Sequence, residues 1–147
     1  MDWQRLTARR AAQIEASGIR KVFDLAATLT EPIDLSIGQP DFEVQAPVKA
    51  GAVAAVGAGF SRYTPSAGIP ELKEAVLEQF QQRQGLRPGD VLITAGGSGA
   101  LTLAMLALVD PGDEVLIPDP FFVSYKHLAT MCGGVPVFYD TYPDFRI

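Results

Sequence analysis

The residues best equipped for chemistry lie between Val91 and Tyr125. Gly96-Gly-Ser-Gly99 follows the short apolar run Val91-Leu-Ile93 and opens a long apolar stretch that reaches Val109. Glycines at 96 and 97 let a ligand approach the backbone with no Cβ in the way, and Ser98 adds a hydroxyl donor. The free N–H groups of a helix's first turn would point at the same spot, with the positive end of the dipole behind them. That arrangement suits a phosphate monoester. On its own the motif is equally consistent with a turn that only permits tight packing, because short glycine motifs recur by chance. Its company favours a ligand. Asp110-Pro-Gly-Asp113 is a strong turn that returns the chain into Glu114-Val-Leu-Ile-Pro118, and Phe121, Phe122 and Tyr125 follow that run. In an open α/β sheet, ligands bind beyond the carboxyl ends of the strands, so the glycine turn and the aromatics share one side. A flat aromatic ligand carrying a phosphate satisfies both.

The elements that must position these residues follow from periodicity. Val91–Ile93 reads as a buried strand feeding the helix Gly97–Val109, which is apolar nearly all round and is expected to be buried, with Met105 and Leu106 in the core. Glu114–Pro118 reads as a second buried strand. Phe121–Met131 reads as a helix with Tyr125, Leu128 and Ala129 on one face, Lys126 at the surface and His127 structural or exposed. Val135–Tyr139 gives a third strand, with Pro136 suggesting a sheet edge.

Upstream, Leu6–Ala16 and Arg20–Leu29 read as helices separated by Ser17-Gly18, and Ile33–Ile37 as a short strand before the loop residues Gly38–Phe42. Pro47 suits the first turn of a helix that continues from Val48 to Val56 and fails at Gly57. Arg62–Gly68 is an aromatic-bearing loop in which Tyr63, taken alone, is a surface tyrosine anchoring a turn. Ile69–Phe80 is an amphipathic helix with Leu72, Ala75, Val76 and Phe80 as its inner face, and Gln81–Gly89 is a polar connection.

Composition narrows the function classes. A net charge of −5 without a basic cluster argues against nucleic acid and anionic membranes as partners. Cys132 is the single cysteine and His127 the single histidine, so neither a disulfide framework nor a usual zinc site is available, and no metal is expected. No apolar run has the length of a membrane span or the pattern of a secretion signal. A cytoplasmic location is the expectation.

Together these segments carry a resemblance. Ile33-Asp-Leu-Ser-Ile-Gly-Gln-Pro-Asp-Phe42, Arg62-Tyr-Thr-Pro-Ser-Ala-Gly-Ile-Pro-Glu-Leu72, Gly96-Gly-Ser-Gly-Ala-Leu101, Pro111-Gly-Asp-Glu-Val-Leu116 and Pro118-Asp-Pro-Phe-Phe-Val-Ser-Tyr125 resemble, in order and spacing, the class I/II aminotransferases, pyridoxal-phosphate enzymes of fold type I. The resemblance implies an α/β fold: an incomplete fold type I large domain, a mainly parallel sheet with helices on both faces, preceded by an N-terminal helical arm. Residues 1–45 would form the arm and substrate-mouth segment, and 46–147 the first part of the cofactor-binding domain. It further implies pyridoxal 5'-phosphate as cofactor, with Gly97 and Ser98 in the phosphate turn, Gly96 supporting it and the Phe122 ring stacked on the cofactor. Tyr63 would reach across a homodimer interface to the neighbouring subunit's cofactor phosphate. The Gly38 backbone would contact the substrate carboxylate, and Ile37 and Ile19 would border the substrate mouth.

Other parts of the family's machinery have no counterpart in the chain. The lysines are Lys21, Lys49, Lys73 and Lys126, and none stands in the context of the family's Schiff-base lysine, so no catalytic residue is assigned. The implied activity, amino transfer between an amino acid and a 2-oxo acid, would belong to a longer protein of which this is an N-terminal part. The part alone is expected to be inactive and, with exposed strand edges, to fold poorly. A carbon–sulfur lyase or a cyclopropane-forming synthase of the same fold is the alternative chemistry. A dinucleotide-binding module would need Gly-x-Gly-x-x-Gly, which fails at Thr102. A short non-catalytic homologue stays open.

Overall fold

A computed structural model describes residues 5–14, 18–31, 33, 38 and 40–146. Its element order is α1 (Arg9–Ala12), α2 (Gly18–Ala26), α3 (Ala46–Gly57), α4 (Pro70–Gln84), α5 (Gly96–Leu108), β1 (Glu114–Asp119), α6 (Ser124–Met131) and β2 (Val135–Asp140). The chain divides into two compact units. One comprises the residues up to Gly18 together with those from Thr94 onward, and the other is Ile19–Ile93.

The first unit is built on a parallel crossover. β1 and β2 pair in parallel, Glu114 opposite Val135 through Asp119 opposite Asp140, and α6 is the connection that packs on both strands. Parallel neighbours need such a crossover because a tight turn can only reverse the chain. The Pro-Gly turn at 110–113 starts β1, and it is tied to the start of β2: Gly112 N–H donates to the Gly133 carbonyl (2.9 Å) and Val135 N–H to the Asp113 carbonyl (2.7 Å). At the far end Thr141 is buried, and its N–H (3.2 Å) and hydroxyl (2.8 Å) both donate to the Asp119 carbonyl. Between these ties sit Ile117, 2% exposed, and Ala129, fully buried. Gly134 closes the packing. A Cβ there would stand 2.8 Å from Val109 Cγ1 and 3.2 Å from Val115 Cγ2. α5 and α1 also pack on this layer through α6.

In the Ile19–Ile93 unit, α3 begins with its proline in the first turn, as the sequence predicts. α4 extends a turn beyond the expected Phe80 and ends where Gly85 adopts the left-handed conformation (φ 69°). Leu77 is the buried residue of α4, whereas Leu72, Ala75 and Phe80, expected inside, are exposed and Val76 is half-buried. The inner face is therefore rotated from the one read off the sequence.

Three further expectations are corrected. Val91–Ile93 is extended but pairs with no strand among the described residues. It is tied to another segment through the Ile93 N–H, which donates to the Ala67 carbonyl (3.0 Å). α5 buries none of its residues: Met105 is half-buried, Leu106 is exposed and Leu108 is 80% exposed. On β1 only Ile117 is buried, and Leu116 faces solvent. The physical reason is shared. A strand in a parallel sheet is buried by helices on both faces and strands on both edges, and here β1 has β2 as its one partner among the described residues. The two helices expected upstream are observed as α1 and α2, each shorter than its sequence pattern. The strand expected at Ile33–Ile37 falls largely outside the described residues.

Candidate functional site

The glycine turn forms as a break between extended chain and helix. Ala95 has φ −73° and ψ 75°, an inverse γ-turn, and Gly96 N–H closes it on the Thr94 carbonyl (2.8 Å). Gly96 then takes φ 69°, a conformation that glycine adopts without steric penalty, and α5 begins. Thr94 spans the bend a second time, its Oγ1 donating to the Gly96 carbonyl (2.9 Å).

Two observations bear on what this turn can hold. No side chain caps the N-terminus of α5, so its first-turn N–H groups are not satisfied by a capping side chain. A Cβ added at Gly96 or Gly97 would meet nothing within 4 Å. The glycines are therefore not there to relieve crowding. They leave open space beside the start of α5, with the exposed Ser98 next to them. This is the arrangement a phosphate monoester requires, and the residues present fit that part of the cofactor.

Phe122 lies in the same unit. It is 52% exposed, so it is not a core phenylalanine, and it meets Tyr125 edge-on with ring centroids 5.8 Å apart. Tyr125 in turn lines a cavity of about 140 Å³ with Leu101 and Met105 of α5 and Val115 to Pro118 of β1. Phe121 takes the packing role instead, stacked on Phe138 of β2 at 4.9 Å. Of the two adjacent phenylalanines, one is spent on the sheet and the other is free to meet a ligand.

Tyr63 and Gly38 belong to the Ile19–Ile93 unit. Tyr63 is fully exposed, on an open cleft of about 400 Å³ lined also by Phe60, Arg62, Thr64 and Ile69. A tyrosine anchoring its own turn would pack against it, and this one does not. Gly38 is exposed, with open space around its α-carbon. Ile19 stands in α2, and Ile37 lies outside the described residues.

The lysines find other uses. Lys49 pairs with Glu43 (2.6 Å) and Lys73 with Asp90 (2.7 Å). Asp90 also accepts the Val91 N–H (2.7 Å). The Lys73 hydrogen bond first, and the Val91 N–H second, hold the Asp90 carboxyl below its ordinary range. Lys126, expected at the surface, is half-buried in α6. His127 is half-buried, and its Nε2 is buried without a hydrogen-bond partner among the described residues, a structural rather than an exposed position. Among the described residues no cluster of acidic, histidine and cysteine side chains has the makings of a metal site, and no helix is long and apolar enough to cross a membrane.

Solved structures of fold type I aminotransferases match the chain closely. The aspartate aminotransferase of Rhizobium meliloti superposes with a TM-score of 0.90 at 36% identity, over 96% of this chain and 37% of that one. The model of the family "Aminotransferase class I and II" matches residues 30–147, and the chain belongs to that family. Similar proteins include the aspartate aminotransferase of Pyrococcus horikoshii, 42% identical over 132 residues (88% of this chain, 34% of the relative). The aspartate/prephenate aminotransferase of Cereibacter sphaeroides is 43% identical over 119 residues (80% and 30%). The chain thus spans about a third of the length of these relatives.

Proposed function

We propose that the chain is the cofactor-phosphate portion of a pyridoxal-phosphate-dependent aminotransferase that moves an amino group between an amino acid and a 2-oxo acid. The observation that carries this reading is the uncapped start of α5, with open space over Gly96 and Gly97. In it the Gly97 N–H and the Ser98 hydroxyl hold the phosphate, Gly96 shapes the turn, and the Phe122 ring lies against the cofactor ring. Pyridoxal 5'-phosphate supplies the electron-accepting ring on which the amino group is exchanged. The exposure of Tyr63 supports its use outside its own loop, at a homodimer interface where it reaches the partner's cofactor phosphate. Gly38 offers its backbone to the substrate carboxylate, and Ile37 and Ile19 border the substrate mouth. Residues 1–45 act as the arm and 46–147 as the first part of the cofactor-binding domain of a cytoplasmic enzyme. The proteins this chain is similar to are named aminotransferases, which favours amino transfer over carbon–sulfur cleavage. With no lysine in the family's Schiff-base context, the chain by itself binds without turning over.

The test is binding of pyridoxamine 5'-phosphate against pyridoxamine, followed by fluorescence. Neither probe has an aldehyde, so the chain's lysines do not condense with it. The phosphate form should bind at least about tenfold more tightly, the scale of one or two charge-assisted hydrogen bonds. Equal binding of the two would sink the reading, and tight binding of NAD in their place would point to a dinucleotide module.

A further inference from the structure

Thr94 lies between the run Val91–Ile93 and the glycine turn, and it makes two hydrogen-bonded links to that turn. Its carbonyl accepts the Gly96 N–H (2.8 Å), and its hydroxyl donates to the Gly96 carbonyl (2.9 Å). The second link matters for a ligand. The Gly96 carbonyl belongs to the same planar unit as the Gly97 N–H, and this peptide is trans, so the two groups point in opposite directions. Pinning the carbonyl toward Thr94 Oγ1 therefore aims the Gly97 N–H away from Thr94. The space around the Gly97 α-carbon is open. Without the hydroxyl, the flanking glycines would leave that peptide plane free to rotate, since glycine has the widest choice of backbone conformations.

We propose that Thr94 is a positioning residue for phosphate binding: its side-chain hydroxyl fixes the Gly96–Gly97 peptide plane and so aims the Gly97 N–H at the phosphate. The inference rests on the phosphate-site reading above and adds a residue that touches no ligand. Thr94 is half-buried and its Cβ lies 3.6 Å from where a Cβ on Gly99 would stand, so the side chain also sits against the first turn of α5. That contact depends on shape, not on the hydroxyl, and a valine would keep it.

The experiment compares Thr94→Val, which keeps the shape and removes the hydroxyl, with Thr94→Ser, which keeps the hydroxyl, in the full 147-residue chain. Thr94→Val should weaken pyridoxamine 5'-phosphate by about fivefold, the scale of one hydrogen bond, and leave pyridoxamine unchanged. Thr94→Ser should restore the phosphate preference. The Gly97 amide resonance, read by NMR during the titration, should lose most of its phosphate-induced shift in Thr94→Val and regain it in Thr94→Ser. A purely structural role would weaken both probes alike and would not separate serine from valine. Wild-type affinity in Thr94→Val, equal loss for both probes, or no rescue by serine overturns the assignment while the phosphate site stands. Failure of the wild-type chain to prefer the phosphate form overturns the phosphate site and this inference with it.

Discussion

The β1–α6–β2 layer and α3 are both rich in apolar residues, α4 is more polar, and they bury their side chains differently. The layer contains Ile117 and Ala129, with Gly134 and Thr141 buried at its ends. α3 has a sequence made almost wholly of alanine, valine and glycine and buries none of it, and α4 buries Leu77. A parallel strand pair with its crossover helix encloses apolar surface by its own connectivity, whereas a helix needs a second surface supplied from elsewhere. Apolar composition offers burial without deciding where it happens. The same difference runs through α5, whose leucines are exposed although its sequence is the most apolar of the helices.

The sharpest way to break this comparison is Ile117→Ala. A large-to-small change at a closed site should cost about 2–5 kcal/mol, seen as a lower urea midpoint. Val53→Ala in α3, at a position 73% exposed, should stay within about 0.5 kcal/mol. Equal effects would mean that the layer is no more closed than the helices. A smaller effect is expected from Gly134→Ala, because the added Cβ meets Val109 Cγ1 at 2.8 Å and the Ala129 carbonyl at 3.3 Å. Overpacking of this kind costs about 1–3 kcal/mol. A variant as stable as the parent would show that the β2 entrance gives way freely.

The mildest effect concerns the Ile19–Ile93 unit. The folded Asp90 carboxyl titrates below its unfolded value, so the tie through Lys73 and the Val91 N–H contributes fully above the ordinary carboxylate range. It is lost as pH falls through the lowered folded value. The Val91 amide resonance should accordingly move in that acidic window and stay still in Asp90→Asn. Movement in both proteins would assign the titration to another group.

Much of the site was legible in the residues. Gly96-Gly-Ser-Gly99 ahead of an apolar run named a tight turn opening a helix, and α5 begins there with Gly96 at φ 69°. The Pro-Gly turn and the two β-branched runs after it named both strands of the observed sheet to within a residue of their ends. Local chemistry fixes such features, because turn residues and alternating apolar runs act over a few positions. The division of labour between Phe121 and Phe122 was not legible, since identical neighbours differ only in what they pack on. Nor was the role of Thr94 legible, because it depends on a hydrogen bond across a bend, and a threonine in a β-branched run reads first as strand.

What the sequence by itself determined is the helices α3 to α6, the two strands of the sheet, the glycine turn and membership of the aminotransferase family, all carried by short-range patterns. Tertiary structure alone decided which apolar residues are buried: Leu77 rather than Leu72 and Phe80, Ile117 rather than Leu116, Ala129 rather than the leucines of α5. The reason is physical. Burial belongs to pairs of surfaces, and a side chain's sequence neighbours specify only one member of each pair.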